Sequence, residues 1–351
     1  MGYSPSGYIG APSGGVPGDE GTLVGNVRAW LTRTVAVVLV VGASGFAVDS
    51  AASAAPAAQT WWINACGMPS QSPGGPPGTV KVRAWTRPGN RKTVVLLDGL
   101  RATNDQNGWE HNTNVADLAD HGVNVVEPVG GYESFYTDWN APDNFTNQRY
   151  TYRWGCVIGK SLVSAMDSRR LRGPSGKYAI VGVSMSGSAA LIFAATEPQN
   201  YGSAGSMSGM LNLTAPIMRT AIRAAMIEPM LDGGTPAMNV DCMWGPPWSL
   251  RWFQNDPLWQ LGALQSTKLF IYTGSGIPGF TATPQALLAN PALLVEGAPL
   301  ELLASAQTHI FDLAAHLTGT PEMTDFPVTG LHDWPYWQNA IWTADQQGFF
   351  A

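Results

Sequence analysis

The stretch of sequence that decides the fold is Tyr178-Ala179-Ile180-Val181-Gly182-Val183-Ser184-Met185-Ser186-Gly187. Its opening residues, up to Val183, are almost entirely apolar, which is typical of a strand buried on both faces of a sheet. Small and apolar residues continue from Ser188 to Thr196 and predict a helix there. Ser184 therefore lies at a predicted turn from strand to helix, and in α/β-hydrolases such an elbow exposes a serine hydroxyl.

Glycines flank this serine on both sides. Gly182 and Gly187 relieve the crowding that a sharp strand-to-helix turn creates, because they carry no side chain. The usual motif places a glycine two residues after the serine, where this chain has Ser186. A glycine two residues before a serine is a weak signal by itself, but the strand before it and the helix after it supply the required context. The sequence favours a nucleophilic serine over a serine-rich turn that only caps the helix.

Other apolar runs have the same buried-strand character and alternate with predicted helices. The further strands are Thr93–Leu97, Val123–Val126 and Lys268–Tyr272, and the further helices are Asn114–His121 and Gly159–Ser168. This alternation predicts an α/β fold of the α/β-hydrolase type, with a mostly parallel central sheet flanked by helices. The segment Leu213–Trp259, rich in Met, Trp and Pro, is predicted to be an insertion that walls a substrate cleft.

The first 58 residues differ in character from the rest of the chain. Arg28 and Arg33 precede an apolar run, Val35–Val48, and a tract of small residues follows it at Ala51–Ala58. This order predicts a secretory signal peptide cleaved near Ala54–Ala58. The alternative, a membrane anchor, would need about 20 apolar residues. We therefore expect a signal peptide and polar extension at 1–58, and a single secreted α/β-hydrolase domain at 59–351 that acts in the cell envelope without a membrane span.

Composition and cysteine content limit the classes of partner and cofactor. Only 13% of the residues are charged, and the net charge of -6 includes no basic patch, which argues against nucleic acid as a partner. Cys66, Cys156 and Cys242 allow one disulfide and one free thiol, and the sequence does not say which two pair. Structural roles are favoured over a catalytic thiol for all three. Their spacing fits no metal site, and we expect neither a metal nor an organic cofactor.

A nucleophilic serine needs a base, which in this fold follows it in the chain. His309 and His316 lie in a predicted helix, whereas His332 lies in a loop, where catalytic residues are often found. An acid must orient the base. The candidates before His332 are Glu296, Glu301, Asp312, Glu322 and Asp325. Glu301 is favoured modestly over Glu296, because it opens a helix where free backbone amides stabilise a carboxylate.

Several motifs resemble those of the antigen 85 mycolyltransferases. They are Leu97-Asp98-Gly99-Leu100-Arg101-Ala102 continuing to Asn107-Gly108-Trp109, Pro128-Val129-Gly130-Gly131, Ser134-Phe135-Tyr136-Thr137-Asp138-Trp139, Gly182–Gly187, Met243-Trp244-Gly245-Pro246, Asn255-Asp256-Pro257 and His332-Asp333-Trp334-Pro335-Tyr336-Trp337. They occur in the same order across nearly the whole expected mature chain. The resemblance implies an α/β-hydrolase fold and the transfer of mycolic acyl groups between trehalose esters or onto cell-wall arabinogalactan.

The resemblance also implies roles for individual residues. The nucleophile falls on Ser184 and the base on His332, while Glu301 matches the family's acid because Phe311 follows it at the family's spacing. The amides of the oxyanion hole fall on Leu100 and Met185, in agreement with the general rule for this fold. The sugar-contacting positions fall on Asp98, Arg101 and Trp334. The plainer alternatives for these three are a strand-end cap, a surface charge and a packing aromatic.

Departures from the family pattern leave other functions open. The disulfide-bearing loop of the family is replaced here by Asp143–Tyr152, Thr273 stands where some members have cysteine, and the segment between Asn212 and Asp241 does not align. A secreted carboxylesterase or lipase would use the same triad with water as acceptor. Because some family members lack the nucleophile and serve in binding, a non-catalytic surface protein is a second alternative.

Overall fold

The computed structural model describes residues 56–231 and 236–350, and the side chains of 229–231 are not described. Residues 1–55, which make up nearly all of the predicted signal peptide and polar extension, therefore lie outside the described residues. Eight strands form one sheet: β1 Gln59–Asn64, β2 Thr79–Trp85, β3 Lys92–Leu97, β4 Val123–Pro128, β5 Tyr178–Val183, β6 Tyr201–Met207, β7 Lys268–Tyr272 and β8 Glu322–Asp325. The strand order is β1-β2-β4-β3-β5-β6-β7-β8.

The sheet is antiparallel only at one edge. β1 pairs antiparallel with β2, and β2 with β4, whereas all pairs from β4 to β8 are parallel. This mostly parallel sheet confirms the predicted α/β-hydrolase fold class. The carboxyl ends of β3, β5, β6 and β7 lie at the same edge of the sheet, where ligands bind in open parallel α/β folds.

Helices cover both faces of the sheet. The α-helices are α1 Gly108–Asn112, α2 Trp154–Cys156, α3 Val163–Ser168, α4 Met185–Thr196, α5 Pro216–Leu231, α6 Val240–Trp244, α7 Leu250–Gln254, α8 Leu261–Leu264, α9 Pro284–Ala289, α10 Ala298–Thr318 and α11 Trp334–Gln346. Tighter 3₁₀ turns occupy Val115–His121 and Pro257–Gln260, and wider π turns occupy Val157–Leu162 and Leu293–Gly297. The helix after the nucleophile begins at Met185, three residues earlier than predicted.

The apolar core is divided by the sheet into two layers. Alternate residues of β5 illustrate this, since Ile180 packs into one layer with Phe193 of α4, while Val181 packs into the other with Trp109 of α1. Such burial on both faces explains the continuous apolar runs that made β3, β4, β5 and β7 recognisable in the sequence.

One disulfide joins the start of the domain to the helical layer. Cys66, which follows β1, is bonded to Cys156 at the end of α2, and 90 residues of sequence separate them. Cys242 in α6 is a free, buried thiol. The three cysteines thus divide into one disulfide and one free thiol, as expected, and the pairing that the sequence left open is Cys66 with Cys156. Within the described residues, no helix is sufficiently long and apolar to cross a bilayer.

Candidate active site

Polar side chains follow four neighbouring parallel strands at the point where each strand ends. Asp98 comes directly after β3, Ser184 after β5, Ser208 after β6 and Thr273 after β7. Because these strand ends lie at one edge of the sheet, residues that are far apart in sequence are placed side by side. This edge holds the candidate active site.

Ser184 lies on a strained elbow. Its φ of 52° and ψ of -118° are outside the conformations that non-glycine residues ordinarily adopt. The Ser184 amide donates to the Met207 carbonyl at 2.9 Å, which ties the elbow to the neighbouring strand β6. A side chain at Gly182 would collide with the Ser186 backbone, and one at Gly187 would collide with Ser206 and Gly209. The two glycines therefore permit the close approach of strand and helix, as the sequence predicts.

His332 bridges the serine and an acid. Its Nε2 lies 2.8 Å from Ser184 Oγ, and its Nδ1 lies 2.8 Å from Glu301 Oε2. Because an ionised carboxylate only accepts hydrogen bonds, Nδ1 donates to Glu301, which leaves Nε2 of a neutral imidazole free to accept from the serine hydroxyl. The side chain of His332 is only 8% exposed and that of Glu301 is fully buried. This arrangement can take a proton from the serine and hold the resulting positive charge.

Glu301 is held by donors from two strand ends. Its Oε1 accepts from Ser208 Oγ at 2.8 Å, from Thr273 Oγ1 at 3.1 Å and from the Gly274 amide at 2.5 Å. The Trp337 indole in turn donates to Ser208 Oγ at 2.9 Å. The role of Ser208 is not visible in the sequence, because β6 is not recognisable there. Thr273 stands out in the sequence only as a departure from the family pattern, although its place directly after β7 is a usable signal.

The other candidate acids and bases, apart from Glu296, lie outside the lining of the cavity that contains Ser184. His309 packs edge-on against Phe326, and His316 is exposed and contacts Asp312. Glu322 and Asp325 begin and end strand β8. Glu296 lines the mouth of the cavity that contains Ser184 but is not the residue bonded to His332 Nδ1.

The residues predicted to form the oxyanion hole flank Ser184. Met185 is the first residue of α4, where backbone amides have no partner within the helix and the helix dipole is positive. Leu100 follows β3, and its carbonyl accepts from the Glu133 amide at 3.0 Å. The Phe135 amide contacts Met185 Sδ at 3.2 Å. The loop that carries Glu133 and Phe135 therefore supports both residues.

Asp98 and Trp334 form one wall of the site. The buried Asp98 carboxylate accepts from the amides of Gly99 and Gly108 at 2.7 Å each, so it does cap the strand end. Burial raises the pKa of Asp98 to about 6. Trp334 packs edge-on against Trp109 and Trp337, with ring centroids 5.6 and 5.0 Å apart. A side chain at Gly108 would collide with both Trp334 and Asp98, so glycine is needed for this wall to form.

Arg101 is engaged by protein groups. Its guanidinium forms an ion pair with Glu133, whose side chain is fully buried, and a second one with Glu228 of α5 at 2.6 Å. It also donates to the Ala225 carbonyl at 2.8 Å. Burial raises the pKa of Glu133 to about 7, although the nearby Arg101 opposes that change. The Arg101 side chain remains 39% exposed at the rim of the site.

One cavity of about 790 Å³ joins these residues. It is lined by every predicted site residue except Glu301, which lies behind His332. Its apolar wall comes largely from the insertion, with Met218, Ile222 and Met226, and from α10, with Leu303, and Met210 just before the insertion adds to it. The predicted role of the insertion as a cleft wall agrees with this lining. An apolar interior with a polar rim can hold an acyl chain beside a polar acceptor.

A possible metal-ligand group lies away from this cavity. Ligand atoms of Asp312, His316 and Glu322 are within 4.8 Å of one another. His316 Nδ1 lies 2.9 Å from the Asp312 carbonyl, and because a carbonyl can only accept, this nitrogen donates and is not a free ligand. Burial and the Asp312 carboxyl raise the pKa of Glu322 to about 8. A proton can therefore relieve the repulsion between these two carboxyl groups.

Comparison with known proteins places this geometry in a family. A family model described as "Putative esterase" matches residues 71–347. The diacylglycerol acyltransferase/mycolyltransferase Ag85C of Mycobacterium avium is 36% identical over 256 residues, which cover 72% of this chain and 68% of the relative. Ag85A of Mycobacterium bovis is 33% identical over 326 residues, which cover 91% of this chain and 90% of the relative. The chain belongs to the antigen 85 mycolyltransferase family.

Solved structures agree with this assignment. The crystal structure of Mycobacterium tuberculosis MPT51 matches with a TM-score of 0.65 and 25% identity, over 85% of this chain and all of that one. The Staphylococcus aureus serine hydrolase FphF matches with a TM-score of 0.56 and 16% identity, over 84% of this chain and 99% of that one, and supports the fold alone. As a member of the antigen 85 family, the chain is an enzyme of the acyltransferase class.

Proposed function

We propose that the protein transfers a mycolic-type acyl chain from a trehalose ester to a sugar hydroxyl through an acyl-Ser184 intermediate. The observation that carries this proposal is the hydrogen-bonded series Glu301–His332–Ser184, with both imidazole contacts at 2.8 Å. The series opens on a cavity whose apolar wall suits an acyl chain and whose rim carries polar groups. Membership of the antigen 85 family favours acyl transfer over other serine chemistry.

In the first half of the reaction, Ser184 Oγ attacks the ester carbonyl of the donor while His332 Nε2 takes the hydroxyl proton. The carbonyl oxygen becomes an oxyanion, which the amides of Leu100 and Met185 stabilise. Each donor in an oxyanion hole is typically worth a factor of about 10²–10³ in rate. The ester bond then breaks, His332 returns the proton to the departing sugar oxygen, and the acyl chain remains on Ser184.

In the second half, an acceptor hydroxyl takes the place of the departed sugar. His332 removes its proton, the acceptor oxygen attacks the acyl-Ser184 carbonyl, and the proton returns to Ser184 Oγ as the new ester leaves. Asp98 accepts hydrogen bonds from acceptor hydroxyls, and the Trp334 indole stacks on a sugar ring. Arg101 completes the acceptor site. Glu301 keeps His332 oriented through both halves.

The setting of this activity is also part of the proposal. We infer that residues 1–58 are removed on export and that 59–351 act as a single domain in the cell envelope. The partners would be trehalose mycolates or related glycolipids as donors, with a second trehalose ester or cell-wall arabinogalactan as acceptor. This assignment rests on the order of basic, apolar and small residues before Gln59 and on the family membership.

The test is an acyl-transfer assay with the purified protein and trehalose monomycolate. We expect trehalose dimycolate to form faster than free mycolic acid, and a serine-directed fluorophosphonate to label Ser184 and to block both products. Free acid without dimycolate would assign the protein as an esterase instead. A chain that is not labelled and forms neither product would be a binding protein.

A further inference from the structure

Arg101 has two carboxylate partners that differ in how firmly they are held. Glu133 has a fully buried side chain, so its ion pair with Arg101 is a fixed part of the loop after β4. Glu228 is 42% exposed and lies on α5, in the segment between Asn212 and Asp241 that does not align with the family. Ion pairs between exposed groups are weak and readily exchanged, in contrast to buried ones. Arg101 therefore has one permanent partner and one replaceable partner.

The replaceable partner is at the acceptor side of the cavity. Arg101 and Glu228 both line the cavity, together with Asp98 and Trp334, the wall proposed to face the acceptor sugar. The Arg101 nitrogen that contacts Glu228 also donates to the Ala225 carbonyl, so α5 offers it two acceptors. A sugar that uses this nitrogen must first replace one or both of them.

α5 is also part of the roof of the cavity. Met218, Ile222 and Met226 of its inner face are buried and line the cavity. Its outer contacts, in which Arg219 donates to the Pro247 carbonyl and Arg223 pairs with Asp241, lie on the insertion itself. Arg101 links this helix to the loop that carries Leu100. Replacing the α5 partners of Arg101 therefore affects both the acceptor site and the roof of the cavity.

Resting on the proposed function, we infer that Glu228 is a specificity-determining residue that competes with the acceptor sugar for Arg101. The Arg101 nitrogen that contacts Glu228 and the Ala225 carbonyl carries two N–H donors. Two neighbouring hydroxyls of one sugar can therefore accept from this single nitrogen when they replace both groups, whereas a single water molecule replaces only one of them. Glu228 thereby weakens acceptor binding and reserves Arg101 for polyhydroxyl acceptors. It acts on the binding of the acceptor and not on the bonds that form or break.

The experiment compares wild type with Glu228→Gln, using isotopically labelled trehalose as the varied acceptor at a fixed concentration of unlabelled trehalose monomycolate. Because transfer to trehalose regenerates the donor, the rate is measured as the label that enters the monomycolate. We expect the KM for trehalose to fall about two- to fivefold in the variant, which is the range that an exposed ion pair allows. The effect on kcat should be smaller than the effect on KM. Asp120→Asn is the matched control, because it removes an exposed ion pair with Arg87 outside the cavity lining. The KM for trehalose should not change in this control.

The salt dependence of the KM for trehalose is a second measurement, and a purely structural role of Glu228 would not produce such a dependence. Added salt screens exposed charges, so raising sodium chloride from about 0.05 M to about 0.5 M should lower the wild-type KM for trehalose. The dependence should be absent in Glu228→Gln. An unchanged KM in the variant would overturn the inference, and a raised KM would show instead that Glu228 binds the acceptor. A wild type that forms free acid but no dimycolate would refute the proposed function itself, and this outcome is distinct from an unchanged KM in the variant.

Discussion

The Glu301 carboxylate is bound on both oxygens, by His332 on one and by Ser208, Thr273 and Gly274 on the other. Glu301→Gln keeps the size of the side chain but removes the charge that stabilises the protonated imidazole. It also places an amide group where only acceptors fit. We expect kcat for acyl transfer to fall by about 10³–10⁴-fold, as in other enzymes whose triad acid is changed. Steady-state rates and circular dichroism of the folded variant would test this.

Glu296→Gln is the matched control for that experiment, since Glu296 was the nearest rival in the sequence and lines the cavity mouth. Its effect on kcat should be small beside that of Glu301→Gln. If Glu301→Gln retained full activity while Glu296→Gln lost it, the acid would have to be reassigned to Glu296. The same measurements thus decide between Glu301 and Glu296, the two acids that the sequence favours most.

At this scale, the sequence predicts residues with a distinctive local setting and misses those defined by their neighbours. Ser184 lies at a recognisable strand-to-helix turn, and His332 lies in a loop that follows Ser184 in the chain, so both can be found from the sequence alone. Ser208 cannot, because its role arises from Glu301, which is distant in sequence. The pairing of Arg101 with Glu228 is likewise invisible, since α5 lies in a segment without a recognisable pattern.

At the scale of elements, the strands found from sequence all lie inside the sheet and not at its two edges, although β6, between β5 and β7, is missed. β5 and β7 have the predicted bounds, and β3 and β4 are close to them. The other four strands lack an apolar β-branched run. β6 has the sequence Tyr-Gly-Ser-Ala-Gly-Ser-Met, with few large apolar residues. At Gly205 a side chain would collide with Val181 of the adjacent strand. β8 is short and polar, and β1 and β2 form the antiparallel edge.

The disulfide between Cys66 and Cys156 fastens this antiparallel edge to the helices that cover it. Closing a loop of 90 residues restricts the unfolded chain, so we expect the double variant Cys66→Ala/Cys156→Ala to lose about 2–4 kcal/mol of unfolding free energy. Urea denaturation at equilibrium would measure the loss.

Reductant supplies the control for the disulfide. Dithiothreitol should lower the stability of wild type towards that of the double variant and leave the variant unchanged. Cys242 cannot account for such a difference, because it is already a free thiol in both proteins. Equal stability of wild type with and without reductant would show that the bond contributes nothing to folding.

In the whole molecule, the topology of the sheet brings the site residues together, which no single sequence motif does. Asp98, Ser184, Ser208 and Thr273 belong to separate parts of the chain, and parallel pairing brings them to one edge. The long helix α10 supplies Glu301 to this edge, and the loop before α11 supplies His332, which contacts both Glu301 and Ser184. The order of these parts along the chain was predictable, whereas their contacts depend on strand order and register.

At the scale of the whole molecule, several acids among the described residues are buried, and their burial affects how stability responds to pH. Burial raises the pKa of several carboxyl groups, namely Asp98, Glu127, Glu133, Asp256, Glu322, Asp325 and Asp333. Of these, Asp98, Glu133 and Glu322 have pKa values of about 6, 7 and 8. In the unfolded chain such groups titrate near pH 4, so unfolding releases protons between about pH 4 and pH 8.

Stability must therefore fall as pH rises through that window, because the folded state binds more protons than the unfolded state. We expect the unfolding free energy to be smaller at pH 8 than at pH 5 by on the order of 3 kcal/mol, since each pKa unit is worth about 1.4 kcal/mol and partly exposed groups contribute less. Urea denaturation at the two pH values would measure this difference. Glu322→Gln should shrink it, because the amide does not titrate, and a stability that rises from pH 5 to pH 8 would contradict the raised pKa values.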